Sequence, residues 1–358
     1  MAAGAAAAGA AAGKAPPVLS ITLNQTHDCF VCGLQNGFKV FSCQPLQQKE
    51  SQLFEDGGIG KAEMLFRCNF LAMVGGGRKP KFPTTKVMVW DDRKKAFVIE
   101  LPFRSEVRGL RLRRDRIVVA LDSKTVVFTF TKSPQQLHVF RTFSNHRGLC
   151  ELCPDDGNAL LVLPGLEKGQ VQIVDLANTK RPGPVIAAHS GALACFSLNR
   201  GGTQLATASE KGTLIRVFDT ASGNQLHELR RGSGEADITC INFSPDSSHL
   251  CVSSNHPTIH IFALPEKDGS ESKGSSFLPA SLFSAKAVSK FTVSCPSSVC
   301  TFSEDGKSVV VMCHDGTFYR CRFSTKGEPE MSIQNFLSGG GGGGGGGQPG
   351  AAAMMNAV

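Results

Sequence analysis

Short apolar runs separated by Gly, Asp, Asn and Ser recur along nearly the whole chain. "NGFKVFS" closes near Phe41, "TKVMVWD" near Trp90 and "SKTVVFTF" near Phe128. "KGQVQIVD" follows near Val174, "KGTLIRVFD" near Phe218, "HPTIHIFA" near Phe262 and "DGTFYRCRF" near Phe323. Most are a turn signal followed by a β-rich strand. About ten to fifteen residues upstream of most lies a second run, such as "IVVAL", "QLATAS", "HLCVSS" or "SVVVMC". A third precedes it, as in "LACFSLN", "ITCINFS" and "SVCTFSE". Helical periodicity is almost absent. The unit recurs seven times, mostly at a spacing of about 40–50 residues, which is the period of a propeller blade. The pattern predicts an all-β, seven-bladed β-propeller of WD40-like repeats over residues 18–329. An array of β-sandwiches is the other all-β solution, but regular spacing and repeated "GT" turns favour the propeller.

Both ends fall outside this pattern. Residues 1–17 are Ala/Gly low complexity without a basic region and Leu-rich core, and residues 330–358 read as a Gly/Ala-rich flexible tail. One interval is long: residues 265–297 open polar and charged, then carry Phe277, Leu278, Leu282 and Phe283 among small residues. A long loop in a compact domain points to function or disorder.

The chain is 41% hydrophobic, and no apolar run approaches the ~18 residues of a membrane helix, which points to a soluble protein. A net charge of +8 favours polyanionic partners without choosing between nucleic acid and an anionic membrane. The thirteen cysteines are scattered through apolar stretches, as expected of reduced thiols in the cytosol. Two CxxC spacings, Cys29/Cys32 and Cys150/Cys153, raise a zinc site, but each lies in or beside a strand-like run without a knuckle glycine. Buried thiols and no metal are expected. No GxSxG, HExxH or other nucleophile–base signature occurs, "VGGGRKP" lacks the end of a phosphate loop, and no cofactor is implied. The chain reads as a non-enzyme.

"LHELRRGS" sets Arg230 and Arg231 back to back at the end of the fifth unit. Successive strand side chains point to opposite faces, so the two cations cannot share a pocket. The fifth unit contributes His189, Thr207, Ser209, Thr213 and Arg216, and the sixth Ser254, Thr258 and His260. Guanidinium, hydroxyl and imidazole donors in a cluster without carboxylates suit a phosphorylated anion. The same residue types also tie strands to turns in ordinary blades, and composition leaves both readings open.

"ATASEKGTLIRVFDT", "LHELRRGS", "INFSPDSSHLCVSS" and "LFRCNFLAMVGGG", taken in order over about residues 20–325, resemble the PROPPIN family, the WIPI-type WD-repeat propellers of autophagy. The "LRRG" form resembles most the branch that includes the WD-repeat 45 proteins. The resemblance implies binding of phosphatidylinositol 3-phosphate and phosphatidylinositol 3,5-bisphosphate in two rim pockets. The first would use His189, Thr207, Ser209, Thr213, Arg216 and Arg230; the second Arg231, Ser254, Thr258 and His260, with Gly232 permitting the turn. The loop carrying Phe277, Leu278, Leu282 and Phe283 would insert into the membrane.

The resemblance further implies recruitment of autophagy machinery, including a lipid-transfer protein of the ATG-two type. The protein would be cytoplasmic and associate peripherally with preautophagosomal and endolysosomal membranes. Two positions depart from the family pattern: Pro257 where glycine is usual, and Thr26 where an acidic residue is expected. "VRGLRLRRDRIVVA" is read either as a solvated strand edge or as a protein-docking patch; its arginines lack the interleaved aromatics of a nucleic-acid surface, and no nucleic-acid partner is expected. The rival to lipid binding is a WD-type protein scaffold with structural arginines.

Overall fold

A computed structural model of the chain describes residues 18–55, 57–265, 285–323 and 330–337. These residues form seven antiparallel sheets arranged as a β-propeller. Blades one to five take residues 18–53, 59–102, 109–141, 151–187 and 193–230; blade six takes 238–263 plus Ser289–Thr292, and blade seven 298–335. There is no helix among the described residues.

The sheets pack face to face. The second strand of most blades is buried along nearly its whole length, as "CFVCGL", "HLCVSS" and "SVVVMC" show. Alternate residues therefore serve two different cores. In blade five Ala206, Ile215, Val217 and Leu229 meet Ile241, Leu250 and Val252 of blade six. In blade six Cys251, Ile259 and Ile261 turn the other way, onto Val309 and Val311 of blade seven. Tight turns join the strands. Gly212 and Gly316 sit there at φ of 62° and 91°, and a Cβ on Gly212 would lie 1.8 Å from the Ala236 carbonyl oxygen.

Blades one and seven each take all four strands from their own segment, so among the described residues no strand passes from one end of the chain to the other to close the ring. Among the described residues, side chains seal the seam between blades seven and one. Ile21, Phe30 and Cys32 pack on Val310, Met312 and Phe318, and Thr301 Oγ1 meets His27 Nδ1 at 2.9 Å. Phe336 packs edge-on against the stacked pair Phe30 and Phe41, at centroid separations of 5.3 and 5.2 Å.

Two boundaries differ from the sequence reading. Glu330–Asn335 is the outer strand of blade seven, paired with Thr317–Arg322, so the fold runs past residue 329. All six residues of that strand are exposed, so no buried face marks it in the sequence. The interval 265–297 is likewise not all loop. Ser289–Thr292 completes blade six, with Phe291 buried, and Ala285–Lys286 adds a fifth, parallel strand to the edge of blade five.

Candidate functional site

Arg230 ends the strand Gln225–Arg230, and Arg231 begins the turn that follows. Ladder register sets Thr207 opposite Arg216 and Arg216 opposite Glu228, a row of three side chains across blade five. Ser209 and Arg230, each two residues along, share that face. The opposite face is the apolar one against blade six, so this polar face looks towards blade four. There the connection between blades four and five supplies its partners. Arg216 Nη1 donates to the Ala188 carbonyl at 2.7 Å, and His189 Nε2 lies 2.9 Å from Thr207 Oγ1.

The crevice is partly neutralised. Contrary to the carboxylate-free cluster that the residue types suggest, Glu228 Oε2 accepts from Arg216 Nε at 3.0 Å. Its signal was within "LHELRRGS" itself, two residues before Arg230 and therefore on the same face. Burial, then the Arg216 guanidinium, lowers the His189 pKa to about 4, so the imidazole is neutral at pH 7. The Thr207 hydroxyl donates onward to the Arg216 carbonyl at 3.4 Å. Arg230 is exposed and has no hydrogen-bond or ion-pair partner among the described residues.

Arg231 belongs to the neighbouring crevice. Its backbone N–H donates to the Thr213 carbonyl at 2.9 Å, which is where Thr213 enters the site. Its Nε donates to the Gly212 carbonyl at 2.8 Å and its Nη2 to the Gly234 carbonyl. The chain is thus pinned just as it passes from blade five to blade six. In blade six Val252 pairs with His260, so His260, Thr258 and Ser254 share the face turned towards blade five. Burial first, then Lys290 and Arg231, lowers the His260 pKa to about 4, and its Nδ1 is buried without a hydrogen-bond partner. Ser254 Oγ accepts from the His256 N–H at 3.2 Å. The two arginines therefore lie at two successive inter-blade crevices: His189, Thr207, Ser209, Arg216 and Arg230 gather at the first and Arg231, Ser254, Thr258 and His260 at the second, whereas Thr213, expected in the first set, meets Arg231 through its carbonyl.

Gly232 requires a correction. Its φ is not in the positive region, and an added Cβ would meet no atom within 4 Å, so the turn does not depend on glycine's conformational freedom. Pro257 takes a structural part, its carbonyl accepting from the Val293 N–H at 2.9 Å. Phe277, Leu278, Leu282 and Phe283 lie outside the described residues. Lys290, opposite His260, and Lys286, opposite Arg230, escaped the sequence reading because both come from the presumed loop.

The other signals resolve into structure. Residues three apart on a strand face opposite ways, so Cys29 and Cys32 enter different cores, as do Cys150 and Cys153. Burial pushes the Cys150 thiol up to about 12. The arginine-rich stretch is matched by acids rather than left as an open basic patch. Arg108 pairs with Glu106, Arg114 with Asp156 and Arg116 with Asp115. Arg111 lies in the central channel between Glu63, at 3.6 Å, and Glu151, at 3.2 Å.

Comparison with known proteins agrees with this architecture. A sequence model of the PROPPIN family matches residues 18–325. SVP1-like protein 2 of Pichia angusta is 38% identical over 257 residues, covering 71% of each chain. Autophagy-related protein 18e of Arabidopsis thaliana is 36% identical over 316 residues, covering 86% of this chain and 83% of its own. The structure of Kluyveromyces lactis Hsv2 with its complete loop 6CD superposes with a TM-score of 0.72 at 25% identity, covering 89% of this chain and 98% of that one. Atg21 in complex with the coiled coil of Atg16 has the same fold, at a TM-score of 0.74 and 22% identity over 90% of this chain and 99% of that one.

Proposed function

The chain belongs to the PROPPIN family, and from that premise we propose that it is a phosphoinositide effector acting in autophagy. Its ligands are phosphatidylinositol 3-phosphate and phosphatidylinositol 3,5-bisphosphate, bound one headgroup per crevice. The carrying observation is the division of Arg230 and Arg231 between two adjacent crevices, each with its own hydroxyl and imidazole donors. Guanidinium and hydroxyl donors suit the tetrahedral oxygens of a phosphate. Two weak sites on one rim gain from effective concentration once the protein lies on a membrane.

The protein associates peripherally with preautophagosomal and endolysosomal membranes, aided by insertion of the segment that carries Phe277, Leu278, Leu282 and Phe283. There it recruits autophagy machinery, including a lipid-transfer protein of the ATG-two type. A protein-only scaffold is the rival reading, and one observation favours it: Arg231 already donates to two carbonyls.

Flotation with vesicles containing phosphatidylinositol 3-phosphate separates the two readings. The folded double variant Arg230→Thr/Arg231→Thr is expected to lose at least ten-fold in binding, since each charge-assisted contact contributes about 1.5–3 kcal/mol. Wild-type protein that stays unbound, or a double variant that floats as well as wild type, refutes the lipid reading.

A further inference from the structure

The chain leaves blade six at its third strand and does not return to that blade directly. It first runs along blade five, where Ala285–Lys286 pairs in parallel with the end of Gln225–Arg230, placing Lys286 beside Arg230. Only then does it reach blade six, where Lys290 stands opposite His260. Neighbouring strands lie about 4.8 Å apart, and residues in register share a face. Lys286 is thus on the Arg216–Arg230 face of the first crevice, and Lys290 on the Ser254–His260 face of the second. Both lysines are exposed and have no ion-pair or hydrogen-bond partner among the described residues.

Charge balance gives the pair a role. In the first crevice Glu228 offsets Arg216, which leaves Arg230 as the free cation. In the second, Arg231 is tied to the Gly212 and Gly234 carbonyls, and the buried His260 is neutral at pH 7. A phosphate monoester brings a charge of about −1.5 to −2. One uncompensated positive charge per crevice, Arg230 in the first and Arg231 in the second, falls short of it, and a second on the same face matches it.

Resting on the phosphoinositide reading above, we propose that Lys286 and Lys290 are headgroup-contacting residues, one in each crevice, so that a single returning segment completes both sites. Arg230 and Lys286 hold one phosphate between them; Arg231 and Lys290 hold the other. The segment that closes the long connection is then part of the lipid site as well as of the fold.

Calorimetric titration with soluble inositol 1,3-bisphosphate tests this without a membrane surface. Flotation then compares vesicles carrying phosphatidylinositol 3-phosphate with vesicles of equal charge carrying phosphatidylserine instead. Lys286→Ala and Lys290→Ala should each weaken soluble-headgroup binding at one site by about five-fold, and Lys→Arg should retain it. Arg230→Ala combined with Lys286→Ala should lose less than the sum of the two, whereas Arg230→Ala with Lys290→Ala should be additive. Lysine variants that titrate like wild type overturn the assignment. So does a loss confined to vesicles and equal on phosphatidylserine, which would mark surface charge alone. Wild-type protein that binds neither probe overturns the phosphoinositide reading itself, a result distinct from both.

Discussion

Glu228 sets the tone of the first crevice. It holds Arg216 from 3.0 Å and so lowers the positive charge that a phosphate meets, while keeping a half-buried guanidinium satisfied. Glu228→Gln should therefore act in two opposite directions. Headgroup affinity should rise about three-fold as Arg216 is released, and stability should fall by about 1 kcal/mol as the ion pair is lost. Calorimetry and urea denaturation of the same variant read the two effects separately. A variant that gains stability, or binds the headgroup less well, would show that Glu228 positions Arg216 for the ligand instead of competing with it. The residue types of this site were largely legible in the sequence, because Thr207, Arg216 and Arg230 obey strand alternation and sit near turns. Glu228 follows the same alternation and was overlooked only because the hydroxyls and arginines drew the reading towards an anion. Gly232 was misread for a different reason: a glycine after two arginines suggests a special turn, and only the backbone angle shows that none is needed.

At the scale of elements, visibility in the sequence follows burial. The inner strands of the blades are mostly buried and stand out, as "SVVVMC" does with five of its six residues buried. Outer strands touch solvent on at least one face and blend into the turns. Glu330–Asn335 reads as tail, and Ser289–Thr292 reads as loop with a single buried side chain, Phe291. Neither could be assigned without knowing which sheet still lacked a strand. Phe336 gives the first of these elements a testable weight. It follows the outer strand of blade seven and packs edge-on against Phe30 and Phe41 of blade one. Phe336→Ala should destabilise the protein by about 3–5 kcal/mol through the cavity it leaves. Denaturant titration would show this as a lower midpoint with an unchanged slope. A midpoint within error of wild type would mean that the seam holds without this residue.

For the molecule as a whole, three histidines occupy three different junctions between blades. His27 faces Thr301 across the seam of blades seven and one, His189 serves blades four and five, and His260 serves blades five and six. Burial is the main cause that lowers each from 6.5 to about 4. Unfolded imidazoles take up protons near pH 6.5 while the folded ones resist until about 4. The unfolded state therefore binds more protons in this window, and stability present above pH 6.5 is lost progressively as pH falls towards 4. Denaturation measured at pH 7.5, 6.0 and 5.0 should show a steady decline, made shallower by His189→Gln. A profile flat over this range would show that the imidazoles remain accessible to protons in the folded ring.

The ring is assembled from neighbours in the chain, and this has a temporal meaning. Blades one to four complete their sheets from contiguous residues, whereas blade five gains Ala285–Lys286 and blade six needs Ser289–Thr292 from beyond the long connection, before blade seven is made. Until those segments appear, Phe30 and Phe41 present a bare aromatic wall, since Phe318 and Phe336 that cover it emerge about 280 residues or more later. Synthesis thus builds an open arc first, and the aromatics of blade seven turn it into a circle. The lysines beside the two crevices are made late in the same sequence of events. On the proposal above, both headgroup crevices are complete only once residues 285–292 have emerged, after the five blades that precede them.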